Sequence, residues 1–172
     1  MKDSINKIKR ALPIISAVLF IFILTSCGGK PYKTDDDFSV TFSIRVDNLV
    51  KNMDMLDRDK HELVPDDGVL IPELQIAAYE GDSVFDLLQR VTRDNRMHMA
   101  ARFTPVIGDA YIEAIHNIYA YDAGPLSGWK YIVNGEIPNV SASSYIVRAG
   151  DVIVWAYTLD LGRDLGMDDD AW

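Results

Sequence analysis

The segment spanning residues 128–157 carries the strongest local folding signals of the chain. Within it, Asn134-Gly135 separates the apolar run 129–133 from Glu136-Ile137. Asn and Gly tolerate the positive φ angles of a type I′ turn, and a two-residue Asn-Gly connection is typical of β-hairpins. The sequence therefore predicts a hairpin whose turn is formed by Asn134 and Gly135.

Two further β-rich runs follow this hairpin, at residues 145–147 and 152–157. Gly150-Asp151 lies between them and supplies a second tight reversal, with Gly as the permissive residue. The whole segment is thus predicted to be a meander of short antiparallel strands.

The segment is also rich in aromatic side chains. Residues two apart on a strand share a face, so Trp129 should lie beside Tyr131, and Trp155 beside Tyr157. Burial under a helix is one interpretation of these side chains. The alternative is an exposed aromatic platform that meets a flat ligand or a protein partner.

A single amphipathic helix is predicted, starting after Ser83 and ending near Asp94-Asn95. Ser83 followed by Asp86 is typical of a capping box, which satisfies the free amides at a helix N-terminus. Apolar residues then recur at helical spacing, namely Val84, Leu87, Leu88 and Val91. This stripe must cover a sheet, because the chain offers no second strongly amphipathic helix to receive it.

Upstream of the helix, alternation of apolar and polar residues predicts a first strand at residues 40–46. Residues 47–67 are a connector with room for one helical turn. A short strand is predicted at residues 74–79, preceded by Pro72, which is compatible with a strand start, an edge or a bulge.

Downstream of the helix, residues 97–107 and 110–118 resemble a second hairpin that turns at Gly108-Asp109. His98 and His116 could approach each other across it. Two imidazoles without a carboxylate or thiol at defined spacing make a weak metal site, so no metal and no cofactor is predicted.

The first 26 residues are predicted to be a bacterial lipoprotein signal peptide. A basic start precedes an apolar run of about fourteen residues, shorter than the roughly twenty that span a bilayer, and small residues lead into Cys27. Cys27 is the only cysteine of the chain and is the predicted lipidation site. An uncleaved anchor, or an ordinary signal peptide with a spare thiol, is the alternative.

Charge excludes one class of partner. The leader carries four basic side chains and one acidic one, so the remaining chain has a formal net charge of −12, against −9 for the whole. A nucleic-acid-binding protein needs a basic face, and none is visible. The same acidity disfavours adsorption to anionic lipid, so membrane attachment has to be covalent, through the lipid anchor.

No catalytic motif is present in the sequence. It contains no G-x-S-x-G elbow, no phosphate-binding glycine-rich loop and no H-E-x-x-H, and its cysteine lies in the leader. The chain is therefore not expected to be an enzyme.

The motifs GWKYIVNGE, Tyr145 followed by Gly150-Asp151, and then Ile153 and Trp155, together resemble the bacterial transcobalamin-like C-terminal domain, DUF4430. Proteins of this family are often surface lipoproteins. The resemblance implies an α+β, β-grasp-like fold with mostly antiparallel short strands packed on one main helix. The expected organisation is a signal peptide (1–26), a flexible tether (27–38), the transcobalamin-like domain (39–166) and an acidic tail (167–172).

The resemblance also implies candidate ligand-binding residues, because the corresponding loop and tyrosine of animal vitamin B12 carriers approach the corrin ring. Carried over onto this chain, they are Asn139, Val140, Ser141 and Tyr145. The aromatic pair Trp129 and Tyr131 completes the set. The larger helical domain that closes over the ligand in those carriers is missing here.

The sequence and the resemblance together predict a membrane-anchored extracytoplasmic binding lipoprotein at the bacterial cell surface. It would recognise a cobalamin-like or other small molecule for uptake, in company with a membrane transporter or a surface protein. The alternative is a protein-interaction or spacer module without a small-molecule ligand, in which the fold presents an edge strand or an aromatic face.

Overall fold

A computed structural model describes residues 37–104 and 109–166 of the chain. The predicted signal peptide with Cys27, the tether up to residue 36, Gly108 and the acidic tail 167–172 lie outside the described residues. Within the described part, no helix combines the length and the apolar character needed to cross a membrane.

Seven strands and two α-helices make up the regular structure of the described residues, together with three short 3-10 turns. The strands are β1 (Phe38–Arg45), β2 (Val69–Ala78), β3 (Met99–Phe103), β4 (Ala110–Ile115), β5 (Ile118–Tyr119), β6 (Gly128–Val133) and β7 (Val152–Thr158). The helices are α1 (Asp47–Lys51) and α2 (Val84–Asp94). This confirms the predicted α+β class.

The larger sheet has the strand order β2-β1-β7-β6. Its central pair, β1 and β7, is parallel, and the outer pairs β1–β2 and β6–β7 are antiparallel. This is the β-grasp arrangement, in which the first and the last strand lie side by side at the centre. On β1, Val40, Phe42 and Ile44 are fully buried on one face, as their period-two spacing requires.

Helix α2 supplies the other layer of the core. Ser83 Oγ accepts a hydrogen bond from the Asp86 N–H at 3.1 Å, and the Asp86 carboxylate accepts one from the Ser83 N–H at 2.9 Å. The predicted capping box is therefore present. The buried residues of the helix include the predicted stripe Val84, Leu87, Leu88 and Val91, which forms one core with the large sheet.

The smaller sheet has the order β3-β4-β5 and confirms the pairing expected of the second hairpin. The main chains of the two histidines meet, because the His98 carbonyl accepts the N–H of His116 at 2.8 Å. Among the described residues, no group of three or more His, Cys, Asp or Glu side chains could hold a metal ion.

The Asn134-Gly135 turn is confirmed, with φ angles of 54° and 87°. Val133 and Glu136 exchange N–H···O=C bonds of 2.8 and 3.0 Å across it. The Asn134 side chain reaches the second predicted reversal, donating to Asp151 Oδ1 and accepting from the Val152 N–H, both at 2.9 Å. The two turns are thus fastened to each other beside β7.

Two strand predictions were wrong. Residues 145–147 form a single bridge at Ile146 instead of a strand, because their main chain bonds the entrance of α2: the Val84 N–H donates to Tyr145 O and the Val147 N–H to Asp82 O. Strand β2 begins at Val69, earlier than predicted. It continues through Pro72 because this proline lies on an edge strand, at the point where the β1–β2 register shifts. The missing N–H of Pro72 therefore costs no hydrogen bond of the ladder.

Candidate functional site

An open cleft of about 480 Å³ lies along strand β6. Residues 128–131 of β6 form one wall, residues 109–112 at the start of β4 form another, and the loop 137–142 forms a third. Three separate parts of the chain therefore converge on one cavity.

Five of the six predicted ligand-binding residues line this cleft: Trp129, Tyr131, Asn139, Val140 and Ser141. The sixth, Tyr145, is not among the lining residues. Its half-buried ring meets Tyr131 edge to face, with 6.1 Å between the ring centroids, so it supports the cleft wall from behind.

The loop 137–142 is fastened to β6 by Tyr131, whose hydroxyl donates to the Val140 carbonyl at 2.7 Å. Burial raises the pKa of Tyr131, so this phenol keeps its proton at neutral pH. The loop is also fastened next to β4, because Ser141 Oγ donates at 2.6 Å to the carboxylate of Asp109, the residue that precedes β4. Ser143 Oγ accepts the Ala110 N–H at 3.1 Å. The loop is thereby held in place without a ligand.

The aromatic residues of β6 and β7 share a face as predicted, but they do not form an exposed platform. Trp129 and Tyr131 are 9% and 7% exposed, and Trp155 and Tyr157 are 1% exposed. Each pairs with the partner across the ladder, Trp129 with Tyr157 at 5.2 Å and Tyr131 with Trp155 at 5.6 Å between ring centroids. Only the edges of this aromatic row reach the cleft, because α2 and the smaller sheet pack against the same core.

The exposed apolar surface at the cleft comes instead from Tyr111, Tyr121, Leu126 and Val140, which are 45%, 62%, 42% and 52% exposed. Of these, only Val140 was predicted. Tyr111 could have been found from strand alternation in the second hairpin. Tyr121 and Leu126 lie between β5 and β6, where no periodicity gives a signal.

Two tyrosines at the cleft are hydrogen-bonded to each other, with 3.4 Å between the hydroxyl oxygens of Tyr111 and Tyr121. Burial, together with this contact, raises the pKa of Tyr111 to about 12. Tyr111 is therefore uncharged at neutral pH, and the two tyrosines offer hydroxyl groups at the rim of the cleft.

Polar side chains also line the cleft, among them Asp109, Lys130 and Asn139. Lys130 is half-buried, and burial lowers the pKa of its amine. Trp155 lines the cleft, and across residues 37–104 and 109–166 its indole Nε1 is the one buried side-chain nitrogen or oxygen without a hydrogen-bond partner. A buried donor of this kind is costly to leave unpaired, and a ligand or water acceptor would satisfy it.

Comparison with known protein families gives a match that includes the residues of the cleft wall on β6. Residues 81–158 match the family DUF4430, a domain of unknown function. The match covers 78 of the 172 residues. The match includes α2 and all strands from β3 to β7, and therefore the whole cleft wall formed by β6 and its loop. It leaves out β1 and β2, although β1 pairs with β7 in the same sheet.

The solved structures that resemble the chain include the following two. Haptocorrin in complex with Cbi aligns over 77% of this chain at 16% identity, with a TM-score of 0.51, which shows a common fold. The alignment spans 28% of the haptocorrin chain. A candidate metal-binding protein from Ruminococcus gnavus ATCC 29149 aligns over 70% of this chain and 96% of its own, at 14% identity and a TM-score of 0.41. None of the curated protein sequences matches this chain.

Proposed function

We propose that the chain is a membrane-anchored extracytoplasmic lipoprotein whose DUF4430 domain binds a cobalamin-like or other small flat ligand in the cleft beside β6. Its task is binding for uptake, and the ligand is handed on to a membrane transporter or a surface protein. Catalysis is not part of this proposal.

The observation that carries the proposal is the convergence of Trp129, Tyr131 and the loop 137–142 on one open cleft. Its volume of about 480 Å³ lies within the roughly 300–1,000 Å³ of small-molecule sites. Its lining combines the apolar surface of Tyr111, Tyr121, Leu126 and Val140 with polar side chains such as Asn139 and Ser141, so a ligand can make both apolar contacts and hydrogen bonds. Loop anchoring by Tyr131 and Asp109 means that little ordering entropy would be lost on binding.

A one-sided cleft suits a large ring system that lies against it with one face. The haptocorrin structure, which contains Cbi, shares this fold over a segment equal to 28% of its chain. The alignment does not extend over the rest of the haptocorrin chain. We therefore infer that one face of the ligand stays in water, and that affinity is in roughly the micromolar range, about −8 kcal/mol.

The polar groups of the cleft also support a binding role over an enzymatic one. The Asp109 carboxylate is occupied by Ser141 and Ser144 hydroxyls, at 2.6 and 3.3 Å. Tyr111 and Tyr131 have raised pKa values and are poor bases at neutral pH. Anchoring rests on the leader sequence and Cys27.

The test is titration of the detergent-solubilised lipoprotein with cobalamin and with cobinamide, followed by calorimetry and by the visible spectrum of the corrinoid. Saturable binding is expected. Val140→Asp brings a charge onto the apolar rim at a side chain that is 52% exposed, so it should weaken binding at least about tenfold without unfolding the domain.

Ile146→Asp is the matched control, because Ile146 is 50% exposed and does not line the cleft. It should leave affinity unchanged. Absence of heat and of any spectral change at millimolar corrinoid, with the domain folded, would refute corrinoid binding. Equal loss in both variants would show that the ligand binds elsewhere.

A further inference from the structure

The hydrogen-bonding pattern of β6 determines which of its main-chain groups face the cleft. The Asn134 N–H donates to Val152 O at 2.9 Å and so points toward β7, whereas both main-chain groups of Val133 bond Glu136 on the outer side. Main-chain groups directed toward and away from the neighbouring strand alternate along an antiparallel strand. In the observed register, Lys130 therefore bonds Ala156, and Trp129 and Tyr131 turn their N–H and C=O groups away from β7.

Both ends of this outer edge are closed by the chain itself. At one end, the Tyr121 N–H donates to Ser127 O at 3.1 Å. At the other, Val133 exchanges two bonds with Glu136. Between them, no described residue bonds the main chain of Trp129 or Tyr131 on the outer side. Two donors and two acceptors are thus left free on a strand that lines the cleft.

The opposite edge of the same sheet is protected in the usual ways. Strand β2 carries Pro72, and Arg90 Nη1 donates to the Ala77 carbonyl at 2.8 Å, so an added strand would meet a missing donor and an occupied acceptor. Between its closed ends, the outer edge of β6 has neither a proline nor a carbonyl occupied by a side chain of the described residues. Its free groups alternate as donor and acceptor, which is the pattern that an extended peptide main chain matches.

We propose that the outer edge of β6 binds an extended peptide segment of a partner protein, which adds a short strand opposite Trp129, Lys130 and Tyr131. The closed ends limit the pairing to about three residues, or roughly 7 Å of strand between the outer two. This inference goes beyond small-molecule binding and makes the cleft a peptide-docking site.

The surroundings define the chemistry of the segment. The exposed rim is formed by Tyr111, Tyr121, Leu126 and Val140, which favours aliphatic residues at the positions opposite Trp129 and Tyr131. A small uncharged residue suits the position opposite Lys130. The chain as a whole has a formal net charge of −9, so basic flanking residues are favoured by charge complementarity. Proline is excluded wherever the segment has to donate.

The test uses the full chain in detergent and the peptide acetyl-Lys-Val-Thr-Val-Lys-amide as the probe. Amide hydrogen exchange is followed residue by residue by NMR. Without peptide, the Trp129 and Tyr131 amides should exchange fast and the Lys130 amide slowly. Saturating peptide should slow the first two at least about tenfold and leave Lys130 unchanged.

N-methylated peptides supply the matched control. An extended strand turns alternate N–H groups toward its neighbour. Methylation of both valine amides and methylation of the threonine amide with that of the flanking lysine should therefore have different effects on the protection of Trp129 and Tyr131. One of the two sets should abolish the protection and the other should retain it. Such a difference between alternate residues is expected of strand addition and not of general apolar contact.

Three results would overturn the inference. The Trp129 and Tyr131 amides could already be protected without peptide, they could remain unprotected at saturating peptide, or both methylated sets could act alike. Corrinoid binding without peptide protection would refute this proposal and leave the small-molecule function standing. Peptide protection without corrinoid binding would do the reverse, and competition between the two would show that they share the cleft.

Discussion

The hydroxyl of Tyr131 donates a hydrogen bond to the carbonyl of Val140 at 2.7 Å. Tyr131 belongs to the buried aromatic row, whereas the Val140 side chain is 52% exposed at the rim of the cleft. This one contact therefore joins the core of the domain to the surface that is proposed to meet a ligand.

Tyr131→Phe should remove the bond and leave the ring in place. We expect a loss of about 0.5–1.5 kcal/mol in the free energy of unfolding, from denaturant titration, together with weaker ligand binding. Tyr157→Phe is the control, since the Tyr157 hydroxyl bonds Tyr119 O at 2.7 Å and Ser127 Oγ at 3.0 Å and makes no bond to the loop 137–142. It should lower stability similarly and leave affinity unchanged; equal effects on affinity would argue against a special role for the loop.

Gly135→Val should destabilise the domain by about 1–3 kcal/mol, because Gly135 has φ of 87° and a β-branched residue is strained there. A Cβ at this position would meet no atom within 4 Å, so the cost comes from the backbone alone. Gly135→Asn should be milder, since Asn tolerates positive φ. Thermal unfolding measures both, and a Val variant as stable as the parent would contradict the turn geometry.

Stability should fall in alkaline solution. The pKa of Tyr111 is raised from 10.0 to about 12, so the folded state keeps a proton that the unfolded chain releases. The resulting stabilisation is complete below pH 10.0 and is lost as the pH rises toward about 12. Tyr111→Phe should flatten part of this decline and remove one late phenolate step from the absorbance titration. Loss of a step near pH 10 instead of the late one would show that Tyr111 ionises like an exposed tyrosine.

Cys27→Ala should abolish lipidation, because Cys27 is the only thiol of the chain and its sulfur is the proposed acceptor. Metabolic labelling with a fatty-acid analogue measures this directly. The variant should carry no label and should retain its leader or be cut at another site. Label that persists in the variant would rule out Cys27 as the site of attachment.

The features that could be predicted from the sequence depend on residues close together in the chain. Ser83 and Asp86 define the start of α2 within one helical turn, and Asn134 with Gly135 defines a hairpin within two residues. The shared face of Trp129 and Tyr131 follows from strand alternation alone. The family resemblance implies the remaining site residues, of which Asn139, Val140 and Ser141 line the cleft and Tyr145 does not.

The features that could not be predicted depend on residues far apart. Nothing in residues 145–147 indicates that their main chain would bond the entrance of α2 in preference to a neighbouring strand. Tyr111 and Tyr121 are only ten residues apart, but they meet around the β4–β5 pair through an irregular segment that has no periodicity. Burial of the aromatic row likewise depends on what covers it, which period-two alternation does not specify.

The parallel pairing of β1 with β7, in which Phe42 lies opposite Ile153, governs the order in which the domain can assemble. The antiparallel pairs β1–β2 and β6–β7 close connections of 23 and 18 residues, whereas docking β1 against β7 has to close a connection of more than a hundred residues. A chain emerging from the ribosome cannot complete its core until the last strand, ending at Thr158, has been made. Truncation before that strand should therefore leave β1 as an exposed edge, prone to pairing with other chains.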